Sequence, residues 1–229
     1  MTGSATAVLR IYHELFRTFG PQRWWPGETP LEVIVGAILT QNTAWGNVER
    51  AIANLKKARL LSVEGLAGAP RRTLARLIRP SGYFNQKAVK LGAFIDFLRD
   101  EYGGSLRRMA RERTPALRRK LLAVHGIGPE TADSILLYAF GRRVFVVDAY
   151  TARLFSRHGC VEARTPYAEI QRYLMERVPR SVRLYNEFHA LIVRAGKEFC
   201  GKIPRCVECP LRHFSRQAKP KLSTGVADT

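Results

Sequence analysis

Asp148 is the side chain of this 229-residue sequence that is best placed to do chemistry. It follows four apolar residues in the segment VFVVDAY, and a helical stripe with Ala152 and Phe155 comes after it. This pattern predicts a helix N-cap facing a cleft, and capping alone is the ordinary structural role of such an Asp. The same carboxylate can orient a water molecule and stabilise a positive charge that develops on a substrate.

Three of the four cysteines crowd into the segment CGKIPRCVECP, at Cys200, Cys206 and Cys209. Four cysteines are too few for the disulfide framework of a secreted protein of this length. Thiolates spaced this closely are typical ligands of an iron–sulfur cluster or of zinc. The sequence therefore predicts a metal site in this loop.

The segment 121–140, LLAVHGIGPETADSILLYAF, predicts two helices joined by a tight turn. Gly126 and Gly128 permit positive φ angles, and Pro129 is favoured at a first helical position. Unpaired amide donors and the helix dipole at the start of the second helix can bind a phosphate without a charged side chain. An ordinary αα-hairpin without a ligand is the alternative.

The balance of charge points to a polyanionic partner. The chain carries 38 Lys and Arg against 19 Asp and Glu, a formal net charge of +19 with a pI near 10.5. Residues 71–120 hold 14 basic and four acidic residues, a net charge of +10. Solvated helix faces normally mix both signs, so a surface that contacts phosphate fits this stretch better. Nucleic acid is the first partner to consider.

Hydrophobic periodicity predicts an all-α protein without strands. The longest apolar run, residues 33–39, is far too short to cross a bilayer, and the first residues do not resemble a secretory signal. We therefore expect a cytoplasmic, chromosome-associated protein. The predicted helices cover residues 8–19, 31–58 with one polar interruption, 63–68, 71–79, 85–101, 115–124, 129–140, 148–158, 166–178 and 183–199.

The sequence resembles the helix-hairpin-helix DNA glycosylases of the endonuclease III superfamily, also called HhH-GPD proteins, over roughly residues 8–212. The motifs that carry the resemblance are LTQNT at 39–43, GYFNQKA at 82–88, HGIGPETA at 125–132, VVDAY at 146–150, and the cysteine loop. Each motif is weak alone, and their combination is specific.

The resemblance implies a two-domain helical fold with a central DNA-binding cleft and a C-terminal cysteine loop. On this basis residues 22–135 form the domain with the hairpin, and residues 1–21 plus 136–214 form the domain with the cysteine loop. Residues 215–229 are expected to be a disordered tail. The implied partner is double-stranded DNA containing a damaged base, which is flipped out of a bent duplex, and a monomer suffices for one cleft.

The resemblance also assigns roles to residues. Asp148 becomes the catalytic carboxylate, because an N-glycosidic bond breaks through an oxocarbenium-like sugar that a carboxylate stabilises. Gln41 is similar to the residue that fills the hole left by the extruded nucleotide; a capped turn is its alternative role. The other residues expected at the DNA are Asn42, Gly126, Ile127, Gly128 and Thr131.

Glu130 is a departure from part of the family. Bifunctional relatives carry a Lys at this position of the hairpin helix, and its amine forms a Schiff base with the sugar that leads to strand cleavage. A carboxylate cannot form a Schiff base. We therefore predict a monofunctional DNA N-glycosylase, a hydrolase with weak or absent AP lyase activity, in which Glu130 acts beside Asp148 in the active site.

Three tryptophans are candidates for the base pocket: Trp24, Trp25 and Trp45. Their π faces can stack on a flipped base and favour a cationic alkylated purine, and a nearby Glu130 would add to that preference. Packing in the core or at a domain seam is their alternative role. The motifs WWP, QNTAW and GIGPETAD resemble the monofunctional 3-methyladenine glycosylase branch, which implies 3-methyladenine as the substrate.

The cysteine loop departs from the family pattern for a 4Fe-4S cluster, CxxxxxxCxxCxxxxxC. Its first gap is one residue short, and Ser215 stands at the last position. The fourth ligand could be Ser215, His213, Cys160 or water, and zinc or an empty site are alternatives to the cluster. A 4Fe-4S cluster on Cys200, Cys206 and Cys209 is the expectation, with the role of pinning the loop rather than of electron transfer.

The predicted function is therefore base excision repair by release of an alkylated purine. One alternative is an endonuclease III-like glycosylase for oxidised pyrimidines or mismatched bases. The other is a catalytically silent protein that binds damaged DNA.

Overall fold

The computed structural model describes residues 2–22, 24 and 27–214, and the side chains of all of these except residues 2–6. The described residues form α-helices, short turns of other helix types and connecting loops, and contain no β-strand, which confirms the all-α prediction. Within this part of the chain, no helix is long and apolar enough to cross a membrane. The expected tail, residues 215–229, and Trp25 lie outside the described residues.

The helices follow the predicted order closely. The helices of the described chain are α1 Thr2–Phe19, α2 Pro30–Leu39, α3 Trp45–Lys57, α4 Val63–Gly68, α5 Arg71–Leu77, α6 Phe84–Tyr102, α7 Leu106–Met109, α8 Thr114–Ala123, α9 Pro129–Ser134, α10 Ala149–Arg157, α11 Tyr167–Arg177 and α12 Val182–Glu198. A 3₁₀ turn, Arg79–Ser81, precedes α6. The segment expected as one helix over 129–140 is divided, because α9 continues into a π-helical turn, Ile135–Ala139.

The chain divides into two compact units. One consists of residues 1–23, 147–180 and 187–229, and the other of residues 24–146 and 181–186. In the first unit, α1 presents Val8, Ile11 and Leu15 on one buried stripe and packs on α11. This is the expected result of apolar residues at steps of three and four along an amphipathic helix.

The second unit is built around α2. Every residue of α2 from Leu31 to Leu39 is buried, as its almost uninterrupted apolar sequence requires. The side chain of Thr29 caps the helix by accepting a hydrogen bond from the Glu32 amide, and Pro30 occupies the first helical position. The helix contacts α3, α6, α9 and the π-helical turn. It therefore supports α9, the second helix of the hairpin.

An ion pair between a buried carboxylate and a partly buried arginine joins α8 to α9. The side chain of Asp133 is fully buried, and its two oxygens accept hydrogen bonds from Nε and Nη2 of Arg118 at 2.7 and 2.9 Å. Such a two-point contact fixes the orientation of both groups as well as their separation. The pair therefore ties together the two helices of the hairpin.

Candidate functional site

Asp148 is the N-cap of α10, as the sequence predicts. Its Oδ1 accepts hydrogen bonds from the backbone amide of Thr151 at 2.7 Å and from the Thr151 hydroxyl at 2.8 Å. The side chain is only 13% exposed. The cap therefore holds the carboxylate in one orientation and leaves its second oxygen, Oδ2, directed elsewhere.

His189 of α12 lies beside that second oxygen. Its Nε2 is 3.6 Å from Oδ2 of Asp148, and the residue is 4% exposed. Burial alone would raise the pKa of Asp148, but the electrostatic effect of the nearby His189 and the two hydrogen bonds from Thr151 outweigh it and lower the pKa. Asp148 is therefore a largely buried carboxylate that stays ionised at neutral pH.

Sequence reasoning missed His189. It stands 41 positions after Asp148, on the apolar face of an amphipathic helix, where a histidine is more often a buried core residue. A polar side chain in the buried stripe of α12 was the available signal.

The close approach of α10 and α12 depends on Gly196. A Cβ at this position would overlap the Tyr150 side chain, reaching 2.8 Å from its Cγ and 2.9 Å from its Cβ. Because Tyr150 follows Asp148 by two residues, the missing side chain lets α12 pack directly on the first turn of α10. This packing brings His189 within reach of the carboxylate.

We expect Gly196→Ala to destabilise the protein. Alanine normally stabilises a helix interior relative to glycine, but here overpacking against Tyr150 should cost about 1–3 kcal/mol in the free energy of unfolding. Gly92→Ala in α6 is the matched control, since nothing lies within 4 Å of its Cβ. Urea unfolding of both variants measures this, and equal effects of the two substitutions would contradict the close packing.

The hairpin turn has the predicted conformation at one glycine and not at the other. Gly126 adopts φ +81°, and the methylene groups of Lys90 lie across it where a Cβ would stand. Gly128 instead has an extended backbone, with φ −90°, and serves as the N-cap of α9. Ile127 between them is buried. Glu130, in the first turn of α9, is exposed.

Gln41 is joined to this hairpin. Its Nε2 donates to the carbonyl of Gly126 and to the hydroxyl of Thr131, both at 3.0 Å. Its Oε1 accepts a short hydrogen bond from the Lys90 ammonium. Asn42, the next residue, is exposed and has a left-handed backbone conformation, with φ +54°. The structure thus places the predicted DNA-contacting residues of LTQNT and of the hairpin side by side.

Lys87, whose role no sequence pattern predicted, links the turn after α2 to the turn before α6. Its ammonium is buried and donates to the carbonyl of Leu39 at 2.8 Å and to that of Ser81 at 2.6 Å. Tyr83, two residues after Ser81, has a left-handed backbone with φ +45°, and its side chain is 67% exposed. One buried cation therefore holds the turns that carry Gln41 and Tyr83.

The pH dependence of stability should reveal Lys87. Burial, together with repulsion from Lys90, lowers its pKa from 10.5 to about 8. Between pH 8 and 10.5, Lys87 therefore holds a proton more often in the unfolded chain than in the folded protein. Its contribution to the free energy of unfolding accordingly rises with pH over that range. We expect this component to be absent from Lys87→Met and present in the exposed-site control Lys57→Met, as measured by urea unfolding at each pH.

The tryptophans lie at two separate places. Trp24 contacts Tyr138, with ring centroids 5.6 Å apart. Trp45 begins α3, packs over Gly36, and donates from Nε1 to Oε1 of Glu49 at 3.0 Å.

Trp45 lines a surface cavity of about 420 Å³ that is rich in carboxylates. Three of them, Glu28, Glu32 and Glu49, face it, together with Lys56, which pairs with Glu28 and Glu32 at 2.9 Å each. In a chain with a net charge of +19, this is a locally acidic wall beside an aromatic face. Such a wall favours a cationic ligand.

Two arginines of α10 hold the cysteine loop. Arg153 donates from Nε to the carbonyl of Cys200 at 2.6 Å. Arg157 donates to the carbonyls of Gly201 and Lys202 and lies 3.3 Å from the Cys200 sulfur. The loop is therefore fastened to the helix that Asp148 caps.

The described residues do not gather a metal site: no three His, Cys, Asp or Glu side chains among them lie in an arrangement that could hold an ion. Cys200 and Cys209 are buried and Cys206 is half-buried. Burial raises the pKa of the Cys160 thiol. His213 is exposed, and Ser215 lies outside the described residues.

Comparison with known proteins gives a consistent result. Residues 35–180 match the family model described as "HhH-GPD superfamily base excision DNA repair protein". A relative from Methanocaldococcus jannaschii, named "Putative DNA repair glycosylase MJ1434", is 46% identical over 208 residues, covering 90% of this chain and 94% of its own. Endonuclease III of Thermotoga maritima is 30% identical over 80% of this chain and 81% of its own.

Two solved structures share the fold. A 3-methyladenine DNA glycosylase of H. pylori, MagIII, bound to 1,N6-ethenoadenine, has a TM-score of 0.73 with 30% identity and covers 85% of this chain and 97% of its own. A non-covalent endonuclease III–DNA complex has a TM-score of 0.79 with 22% identity, covering 93% of this chain and 95% of its own. The second likeness shows the fold alone.

Proposed function

Because this chain belongs to the HhH-GPD superfamily of base excision DNA repair proteins, we propose that it is a monofunctional DNA glycosylase that releases an alkylated purine from double-stranded DNA. The observation that carries the proposal is the state of Asp148. It is a buried carboxylate, oriented by Thr151 and kept ionised beside His189. An Asp that only caps a helix needs neither to be shielded from solvent nor to have a partner such as His189 that keeps it ionised.

The chemistry follows from that carboxylate. The C1′–N bond of the flipped nucleotide breaks, and its electron pair leaves with the base. A base that alkylation has made cationic is therefore released as a neutral molecule. Asp148 stabilises the oxocarbenium-like sugar that forms. The oxygen of a water molecule bonds to C1′, and the proton that the water loses passes to Asp148. The product is an abasic site in an uncut strand.

The residue at the family position for the reactive amine supports a monofunctional enzyme. A Schiff base needs a neutral amine that can reach the sugar, and the family position for it holds Glu130, exposed in the first turn of α9. Lys87 has a lowered pKa of about 8, but it is buried and bonded to two carbonyls. Hydrolysis by water remains as the route, with Glu130 beside the base.

An alkylated purine is the substrate that the pocket residues favour. Trp45 presents an aromatic face above a cavity with three carboxylates, which suits a base that carries positive charge. Trp24 and Trp25 remain proposed members of the base pocket from their residue type alone, and Trp25 lies outside the described residues. The likeness to the H. pylori 3-methyladenine glycosylase, at 30% identity, fits this choice.

The DNA is held by the two joined turns and the hairpin. Gly126, Ile127, Gly128 and Thr131 present the backbone of the hairpin to a phosphate, and Gln41 and Asn42 lie beside it. Tyr83 is an exposed aromatic side chain on a strained turn, which fits insertion between bases of a bent duplex. We propose that this surface binds the damaged duplex, that the protein acts as a monomer, and that it is cytoplasmic and associated with the chromosome.

We also propose a 4Fe-4S cluster on Cys200, Cys206 and Cys209, although these side chains do not lie in a metal-binding arrangement among the described residues. The support is the set of three close thiols and the Arg157 contact to the Cys200 sulfur, since such donors tune cluster ligands. The test is elemental analysis of purified protein, which should contain about four irons per chain. Folded, active protein free of iron and zinc would remove the metal site.

The function is tested by base release from methylated DNA, with released bases identified and strand breaks scored separately. Release of 3-methyladenine without coupled nicking is the expected result. Nicking that borohydride traps as a covalent adduct would overturn the monofunctional assignment. Preferential release from oxidised or mismatched duplexes would overturn the substrate, and binding without any release would identify a silent damaged-DNA-binding protein.

A further inference from the structure

His189 is a buried histidine that helix packing alone does not account for. It lies in α12 and is 4% exposed, yet its Nε2 is directed to a carboxylate rather than to an apolar wall, 3.6 Å from Oδ2 of Asp148. A buried carboxylate is costly unless a partner offsets the loss of water. The protein thus retains two ionisable groups face to face at the site proposed for the chemistry.

The two oxygens of Asp148 have separate partners. Thr151 donates twice to Oδ1, at 2.7 and 2.8 Å, so that oxygen anchors the carboxylate to α10. Oδ2 faces His189 across the packing of α10 on α12. One oxygen is therefore bonded within its own helix, and the other faces a histidine of a different helix, 41 residues away in sequence.

The neighbouring cations are engaged elsewhere. Arg153 and Arg157, on the helix that Asp148 caps, donate to backbone carbonyls of residues 200–202. On the segment just before Asp148, the amide of Val147 lies 3.4 Å from the hydroxyl of Tyr167, a neutral group of α11. Among the described residues, the ion-pair contact to Asp148 is supplied by His189.

We propose that His189 is a positioning residue for base release: it holds Asp148 oriented and negatively charged, and neither touches the substrate nor exchanges a proton with it. The proposal rests on the proposed function of Asp148. It predicts that loss of His189 impairs the chemical step while DNA binding, which depends on the hairpin and the two turns, is retained.

The test compares His189→Asn with Leu191→Ala. Asparagine keeps a polar donor but cannot carry charge, whereas Leu191 is a fully buried apolar residue on the same helix, so its truncation reports a purely structural loss. Each variant is assayed for single-turnover base release, for affinity to a duplex with a reduced abasic site, and for melting temperature. In His189→Asn we expect release to slow about 10- to 100-fold, the scale of a misplaced reacting group, with affinity unchanged.

A second measurement does not depend on activity. Carboxyl ¹³C NMR titration of Asp148 should show its midpoint moving to higher pH in His189→Asn and staying in place in Leu191→Ala. The proposal is overturned if the midpoint does not move, if release is unaffected, or if release, affinity and melting temperature fall together as in Leu191→Ala. If the wild-type protein releases no base from any lesion, the proposed function fails, and the titration alone decides whether His189 sets the state of Asp148.

Discussion

Asp148→Asn should lower the rate of base release by about 1,000-fold, the scale on which a pre-organised electrostatic group acts in a transition state. Asparagine has the same shape, and its side-chain oxygen can still accept the Thr151 hydrogen bonds that cap α10. The fold should therefore persist while the negative charge beside the sugar is lost. Single-turnover release from methylated DNA measures the effect.

The matched control for this substitution is Asp96→Asn, which removes the same charge from an exposed position on α6. Both variants should bind a duplex with a reduced abasic site, and the control should release bases at the wild-type rate. Retention of activity in Asp148→Asn would leave this residue a structural cap, which was the alternative that the sequence offered. Loss of DNA binding together with activity would assign it to folding rather than to chemistry.

Arg118→Leu should destabilise the protein by about 3–5 kcal/mol, because it leaves the carboxylate of Asp133 buried without its ion-pair partner. The side chain of Asp133 is fully buried, so water cannot replace the two hydrogen bonds that Arg118 donates. The damage should appear where α8 meets α9, at the hairpin. Urea unfolding measures the loss, and hydrogen exchange locates it.

Two further variants isolate the pair. Arg17→Leu breaks an exposed pair with Glu14 on α1 and should change stability far less than Arg118→Leu, because solvent screens the exposed pair. The double variant Arg118→Leu with Asp133→Leu removes both charges and should recover much of the lost stability, since a buried ion pair and an apolar pair of similar volume differ little. A double variant no more stable than Arg118→Leu would show that the pair is not the source of the effect.

The sequence by itself determined the helical class, the order of the helices and the chemical types at the candidate site. Period-3.6 stripes such as Val8, Ile11 and Leu15 predict helices because one face of each must be buried. Asp148 was identified because an N-cap is specified by the residues next to it in the chain. The hairpin could be read for the same reason, since Gly126 and Pro129 act locally on the backbone.

Some local features were still read incompletely. The helix expected over 129–140 passes into a π-helical turn at Ile135, and Gly128 adopts an extended backbone rather than a positive φ. Gly128 immediately precedes Pro129, and the proline ring restricts the residue before it to an extended backbone, so this conformation has a local cause that the sequence contains.

Only the tertiary structure decided which side chains meet. His189 reaches Asp148 because Gly196 lets α12 pack on Tyr150, and no spacing in the sequence encodes that approach. Lys87 joins the carbonyls of Leu39 and Ser81, which are 42 residues apart in the chain. The physical reason is that helix periodicity is a local property, whereas the pairing of buried polar groups depends on which helices pack together and at what distance.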